Sequence, residues 1–333
     1  MNVKKYFFML DKFRRDIRTA KQRYPIASDV QSKELGEYYF VFDEKRVRSG
    51  ADQPLIDRFD ENGIPVNKTY VDVTDKEYVY FPISIGQLGL AVFHTYLKTK
   101  NREDRERFLK FAEWYADERN YHKDKQKGIR WLTDVSLPQY RNKGPWQSAF
   151  SQSRGISILT RAFQITGRKE YSDIAEAALT CFRLPVKKGG VTVYTEKGPF
   201  YEEYTAAVPT LVLNGMIFAL FGVYDFVRAF PENALAVSIF ADGTETLARL
   251  LPEYDLGYWS RYNLCNAPWY PAVDPATIAY QRLHIVQLRI LYKITGKEIF
   301  NTYADIFRRQ DTLPNTLTMY IHKQKALKKL GRL

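Results

Sequence analysis

The sequence predicts a mainly α protein, an incomplete (α/α) barrel of about four helix-hairpin repeats, and three observations carry that prediction. Long apolar segments with helical spacing recur in pairs. The breaks inside those pairs are evenly spaced along the chain. The β-prone runs are short, confined to the N-terminal part and to residues 190–204, and read as small hairpins.

Taken in order, residues 1–35 contain "KKYFFMLDKFRRDIRTAKQRY", which predicts a basic helix. Between 37 and 80, "EYYFVF", "NKTYVDV" and "KEYVYF" are β-prone and separated by the turn signals "SGADQP" and "DENGIP". Residues 1–80 are therefore expected as a helix and β-hairpin segment packed on a barrel of residues 81–333. From Phe81 the pattern is helical. "GQLGLAVFHTYLKTKNREDRERFLKFAEWY" is a helix, a tight break and a second helix. "QSRGISILTRAFQITGRKEYSDIAEAALTCF" and "IAYQRLHIVQLRILYKITGKEIFNTYADIF" repeat the arrangement. Thr99, Thr166 and Thr295 stand at equivalent breaks, 67 and then 129 residues apart, and the doubled second interval calls for a further break near residue 231. "LNGMIFALFGVYDFVRAFPENALAVSIF" supplies it at Phe230–Pro231. First helices such as "ILTRAFQIT" and "LVLNGMIFALFG" are apolar nearly all round, which suits an inner layer. Second helices such as "REDRERFLKFAEWYADER" carry charge on one face, which suits an outer one.

At 333 residues and 45% hydrophobic content, the chain can bury a substantial core. It has no run of about 20 apolar residues, so no membrane span is predicted. The basic opening "MNVKKYFFMLDKFRRD" has an apolar stretch, Tyr6–Leu10, that ends at Asp11 without a small-residue cleavage site, so the compartment it implies is cytoplasmic. Cys181 and Cys265 stand alone, which predicts neither a disulfide framework nor a zinc site. The formal charge of +12 suits a polyanion: nucleic acid, anionic lipid or an acidic polysaccharide. Most of the 24 Tyr and 21 Phe belong to the core, although flat rings with polar tips also suit sugar clefts. The tail "HKQKALKKLGRL" reads as a solvated helix end.

The connections before the inner helices are long and irregular, and a site is built there. In "GGVTVYTEKGPFYEEY", Val191 and Val193 alternate with Thr192 and Tyr194, and "EKGP" makes the turn. This hairpin delivers Glu203 and Tyr204 to the mouth of the third inner helix. Other mouths hold Gln87; Trp146, Gln152 and Arg154; and Tyr262 and Tyr280. Helix N-termini converging there favour an anionic ligand. Singly, each residue reads as local packing. Acids, tyrosines and arginines at equivalent places in several repeats read as a site just as readily.

The run "FYEEY", with "VLNGMIFALFGVYDF" after it, resembles the signature of the C-terminal helical domain of the glucuronyl C5-epimerases acting on heparosan and heparan sulfate. "YVYFPISIGQLGL" is similar to the family's entry into its first inner helix, and "SQSRGISILTRAFQITG" to its second. "YNL" at 262–264 and "AYQRLHIVQL" at 279–288 follow in order, with a spacing of 18 between Tyr262 and Tyr280. The resemblance covers roughly residues 60–310. It implies that Glu203 and Tyr204 are the catalytic glutamate and its adjacent tyrosine, and that Tyr262 and Tyr280 are the later functional tyrosines. Gln87, Trp146, Gln152, Arg154, Tyr201, Asn214, Arg261 and His284 are then the substrate-binding candidates. The sequence departs from the family twice. An arginine expected three residues after Tyr262 is Cys265, with Arg261 as its nearby replacement. Thr99 also passes almost directly into the next helix, so the β-rich domain that the animal enzymes carry there is not expected.

The resemblance thus implies an isomerase that turns D-glucuronate into L-iduronate within a heparosan-like acidic polysaccharide. It implies no cofactor, no metal and no nucleic-acid partner, and it admits a homodimer. Such chemistry removes the proton alpha to a carboxylate and returns one to the opposite face, so it needs a base, an acid and donors against the growing charge. Glu203 is taken as the base on the glucuronate side and Tyr280 as the proton donor, with Tyr204 and Tyr262 orienting or sharing the proton. Free tyrosine ionises near ~10, so a tyrosine base needs a cation nearby, for which Arg154 and Arg261 are the candidates. Three rivals stay open. A polysaccharide lyase shares the first step and then expels the C4 oxygen. A glycoside hydrolase needs two separated carboxylates, and Glu202 and Glu203 are adjacent, so Asp274 or Asp255 would supply the second. A non-catalytic polyanion binder accounts for the charge but not for the Tyr–Glu cluster.

Overall fold

The computed structural model describes residues 25–49, 56–68 and 78–332. They fall into two compact units, a larger one of residues 25–211 and 215–249 and a smaller one of residues 212–214 and 250–332.

The larger unit opens with a strap instead of a helix. The helix expected over residues 1–35 is absent from Pro25 onward, and its first 24 residues lie outside the described ones. Local chemistry explains the departure. Asp29 Oδ1 accepts from the backbone N–H groups of Gln31 and Ser32 at 2.9 and 3.0 Å, a turn that competes with helix. Side chains from the helices then take up the strap's backbone. Arg228 Nε donates to Ser32 O at 2.7 Å, Gln164 Nε2 to Lys33 O at 2.7 Å, and Arg161 Nε to Gly36 O at 3.2 Å. Of the strand expected in "EYYFVF", a single bridge between Ile26 and Phe40 is formed. The short helix α1 (Glu44–Arg48) follows, capped by Asp43. Strands β1 (Ile56–Phe59), β2 (Pro65–Lys68) and β3 (Tyr78–Val79) make a small antiparallel sheet.

The hairpins come next. Helix α2 (Pro82–Thr99) starts on a proline and ends where Lys100 adopts the left-handed conformation, at φ 56°. Helix α3 (Arg102–Ala116) starts at once, capped by Asn101. Two ribbons, β4 (His122–Asp124) with β5 (Gly128–Arg130) and β6 (Leu132–Thr133) with β7 (Trp146–Gln147), lead to α4 (Ala149–Thr166) and α5 (Lys169–Leu179). The hairpin β8 (Thr192–Thr195) and β9 (Gly198–Tyr201) turns at the predicted "EKGP". Helices α6 (Leu213–Ala229) and α7 (Ala234–Leu250) flank the predicted break at Phe230–Pro231. In the smaller unit, α8 (Ile278–Thr295), α9 (Glu298–Gln310) and α10 (Leu313–Lys329) follow one another. The fold class is mainly α, with four helix hairpins among the described residues, and α2, α4 and α8 end on the three predicted threonines.

Layering follows burial. In α4 every residue from Ala149 to Ala162 is buried, polar ones included. Close approach of the inner helices requires small residues. A Cβ on Gly222 of α6 would lie 2.4 Å from Ser153 O of α4, and Ser153 Oγ donates to Phe218 O at 2.5 Å across the same contact. Outer helices keep one wet face: Arg102 and Glu106 of α3 pair in solvent.

Candidate active site

Within the larger unit, the run Tyr201–Tyr204 is fixed by its neighbours before any side chain acts. The N–H of Glu202 donates to Val191 O at 2.7 Å, and its carbonyl accepts from Ala149 N at 2.8 Å, at the start of α4. Thr205 and Gln147 exchange backbone and hydroxyl bonds of 3.0 to 3.1 Å.

Four adjacent side chains then take four separate places. Tyr201 packs inward: its hydroxyl donates to Ile239 O at 2.7 Å, its ring meets Phe182 edge-on, and burial holds its phenol well above the usual range. Glu202 is a clamp. Its carboxylate accepts from Thr210 N at 2.8 Å, from Leu211 N at 3.0 Å and from the Thr210 hydroxyl, and burial outweighs these donors to raise its pKa to about 7. Glu203 is 4% exposed and lies on Gly215 of α6, where a Cβ would come within 2.3 Å of Glu203 Cβ and 2.4 Å of Oε2. Only glycine admits the carboxylate there. Tyr204 is held between rings, with centroids 5.2 Å from Trp146 and 5.6 Å from Tyr140, and the Trp146 indole is itself tied to Val135 O at 2.8 Å.

The other candidates of this unit differ in how far their polar groups are already used. Gln87 of α2 is 7% exposed, and its amide has no hydrogen-bond partner among the described residues. Gln152 is committed to the backbone, donating to Ile129 O at 2.7 Å and accepting from Trp131 N at 3.0 Å. Arg154 is fully buried, and none of its guanidinium nitrogens has a hydrogen-bond partner among the described residues. It rests instead against the rings of Tyr38, Phe150 and Phe218, each 4.8 Å away, and Phe42 at 5.7 Å. Burial lowers its pKa.

Within the smaller unit, Tyr262 and Tyr280 come together, 18 residues apart in sequence and 5.2 Å between ring centroids. Backbone bonds fix Tyr262 on both sides: its N–H donates to Asp274 O at 2.9 Å and its carbonyl accepts from Leu213 N at 3.2 Å. Tyr280 stands in the first turn of α8, capped by Thr277. Lys323 of α10 lies 5.6 Å from the centre of the Tyr262 ring while paired to Asp274 at 2.6 Å. Asn214 accepts from Gln287 Nε2 at its carbonyl, 3.0 Å away. Arg261 bonds Ala272 O at 2.9 Å and lines, with Cys265, Asp255 and Lys329, a cleft of about 780 Å³.

His284 is fully buried and its tautomer can be deduced. Gln281 Nε2 donates to Phe307 O at 2.9 Å, so Gln281 Oε1 is the acceptor for both Ser260 N and Ser260 Oγ, at 2.8 and 2.6 Å. With the hydroxyl proton thus committed, Ser260 Oγ accepts from His284 Nδ1, 2.9 Å away, and Nε2 carries the lone pair. Burial lowers the pKa to about 3, so the ring is neutral. Sequence reasoning missed this lock and also missed Lys323, which it placed on a solvated helix end. The lock had a signal: Gln281, His284 and Gln287 recur at spacing three along α8, on the face where it is buried. Lys323 had none.

The carboxylates a hydrolase would need are engaged. Asp274 holds Lys323 and the Tyr270 hydroxyl, and Asp255 accepts from Gly257 N and Gln310 Nε2. Among the described residues no cluster could hold a metal ion, and no helix is long and apolar enough to cross a membrane. Neither Cys181 nor Cys265 forms a disulfide among the described residues, and both are buried.

The family described as D-glucuronyl C5-epimerase C-terminus matches residues 124–309, more than half of the chain. A Methanocaldococcus jannaschii protein of uncharacterised function is 28% identical over 293 residues, which is 78% of this chain and 91% of that one. The Caenorhabditis elegans D-glucuronyl C5-epimerase is 27% identical over 236 residues, 67% of this chain, and the match spans only 38% of the worm protein. Among solved structures, cellobiose 2-epimerase from Spirochaeta thermophila superposes with a TM-score of 0.53 at 15% identity, covering 80% of this chain and 65% of that one. That likeness shows a shared fold.

Proposed function

The chain belongs to the family defined by the C-terminal domain of the D-glucuronyl C5-epimerases, a family of carbohydrate epimerases, and on that premise we propose that it inverts C5 of D-glucuronate within a heparosan-like acidic polysaccharide. The observation that carries the reading is Glu203: a buried carboxylate seated on a glycine, beside a tyrosine fixed by two rings, in the hairpin that resembles the family signature.

In the proposed reaction Glu203 takes the C5 proton, and the electron pair of the C5–H bond moves into the sugar carboxylate as an enediolate. A proton delivered to the opposite face forms the new C5–H bond and restores the carboxylate, so no atom is gained or lost. Tyr280 is the donor. A phenol ionising near ~10 is protonated at neutral pH and needs no activation for that step. Tyr204 and Tyr262 orient the sugar or share the proton, and Gln87 offers an uncommitted amide to a hydroxyl. In the reverse direction a tyrosine must act as base, and Lys323 beside Tyr262 is a suitable cation, its charge shared with Asp274. The chain's charge of +12 draws an acidic polymer from a distance and makes its capture salt-dependent.

The test is incubation with heparosan and with N-sulfated heparosan in deuterated water, reading label at C5 and the iduronate fraction. Glu203→Gln and Tyr280→Phe abolish labelling without shifting the melting curve. Near-normal labelling in both variants refutes the assignment. Ultraviolet absorbance from an unsaturated uronate identifies a lyase instead, and chain shortening without that absorbance a hydrolase.

A further inference from the structure

We propose that the cleft between the β1–β2 turn and the C-terminal half of α3 is a second carbohydrate site, which takes an uncharged hexopyranose unit of the glycan. Its role in holding a polymer rests on the reading above; its existence as a sugar site does not. The cleft measures about 590 Å³, within the range of small-molecule pockets, and lies wholly in the larger unit.

Its floor is aromatic and already ordered. Tyr80 and Trp114 face it with ring centroids 5.8 Å apart and planes inclined by 48°, and Tyr80 is 40% exposed. An exposed tyrosine ordinarily swings. This one is held at its tip, because its hydroxyl donates to Asp60 Oδ2 at 2.9 Å. Asp60 is held in turn, accepting from Asn62 N at 2.9 Å and Ile64 N at 2.8 Å. The entropy of fixing the ring is spent before a ligand arrives, which leaves more of the stacking energy for binding.

Around that floor stand polar groups with nothing to do. The Trp114 indole N–H, the Asn62 amide, the Lys110 ammonium and the Glu113 carboxylate make no hydrogen bond or ion pair among the described residues. Rings for the apolar face of a sugar, with donors and acceptors at their margin for its hydroxyls, are what a pyranose requires.

Charge chooses among sugars. Asp60, Glu61, Glu113 and Asp117 line the cleft against Lys110 and Arg119, and Arg119 is already paired to Asp117 at 2.5 Å. An acidic cleft on a chain of charge +12 disfavours a uronate, while free carboxylates accept well from neutral hydroxyls. Position supplies the purpose. Helix α3 returns antiparallel to α2, so Trp114 stands at the N-terminal end of α2, the end that carries Gln87, and its neighbour Tyr115 donates to Pro82 O there at 2.5 Å. A glycan gripped at Trp114 extends from the same end of the hairpin.

The experiment is calorimetric titration of the full chain with cellohexaose and chitohexaose, uronate hexamers serving as the contrast. Both neutral probes bind the wild type. Trp114→Ala and Tyr80→Ala weaken them at least tenfold with unchanged melting curves, and the milder Asn62→Ala and Lys110→Met weaken them by smaller factors. For long polymer substrate, Trp114→Ala raises KM at least fivefold at constant kcat. Failure of the wild type to bind either neutral probe, binding indifferent to all four variants, or tighter binding of the uronate hexamer through Trp114 each overturns the proposal. Trp114-dependent binding in a protein that exchanges no C5 hydrogen upholds the site and defeats the epimerase reading instead.

Discussion

Gly215→Ala adds one methyl group where the structure has no room for it. The new Cβ would stand 2.3 Å from Glu203 Cβ and 2.4 Å from Oε2, whereas ordinary contact begins at 3.4 Å. Helix α6 is bound into the inner layer and Glu203 ends a short hairpin, so the glutamate gives way, by about 1 Å. Misplacement of a catalytic group by that distance costs on the order of 100-fold in rate, or about 3 kcal/mol of transition-state stabilisation. Stability moves much less, because alanine favours the helix over glycine by up to about 1 kcal/mol and offsets part of the strain. The assay pairs C5 deuterium incorporation, resolved into kcat and KM, with thermal unfolding of the same preparation. The predicted result is a fall in kcat of about two orders of magnitude with a melting temperature within a few degrees of wild type. Exchange within twofold of wild type, in a protein whose Glu203 must have moved, would refute Glu203 as the reacting base.

Two further perturbations test the frame around that site. Asp225→Asn leaves Arg161 charged and fully buried without its 2.6 Å partner, so urea unfolding should show a loss of about 3–5 kcal/mol, whereas removing both charges together with apolar replacements should cost far less. Glu202→Gln isolates the clamp. In the wild type the unfolded carboxyl ionises near 4.5 while the folded one keeps its proton until about 7, so in that window the unfolded state binds fewer protons and wild-type stability falls as pH rises, by up to about 3 kcal/mol relative to the variant. The difference between the two unfolding curves should be flat below about pH 3.5 and above about pH 8, about one unit beyond the two ionisations; a difference that is flat throughout contradicts a raised Glu202.

The hairpin order was legible because it is written in local features. Apolar runs with helical spacing, closed by Thr99, Thr166 and Thr295 and by Phe230–Pro231, mark each inner helix and its end. The β8–β9 hairpin was legible for the same reason. The strap was not. The basic helix expected over residues 1–35 yields, from Pro25 onward, to bonds that Arg228, Gln164 and Arg161 donate to the strap's carbonyls, the first of them from 196 residues away. Of the candidate site, the types and approximate places of the residues could be read, but their employment could not. Gln87 and Gln152 look alike on inner helices, yet one amide is open and the other bridges the backbone at Ile129 and Trp131. Glu202 and Glu203 are chemically identical neighbours, and a single residue's turn of the chain sends one to Thr210 and Leu211 and the other onto Gly215.

The sequence by itself settled the helical repeat, the hairpin between the second and third inner helices, and membership of the family, since these depend on patterns a dozen residues long and on contiguous motifs. Tertiary structure decided which polar groups were spent on the fold and which were left over: Arg154 in its aromatic cage, His284 locked to one tautomer, Lys323 brought beside Tyr262, Trp114 facing an open cleft. The reason is physical. A buried donor, acceptor or charge has to be met by some other group, and which one meets it is settled by chain segments that come close only after the hydrophobic layers have packed.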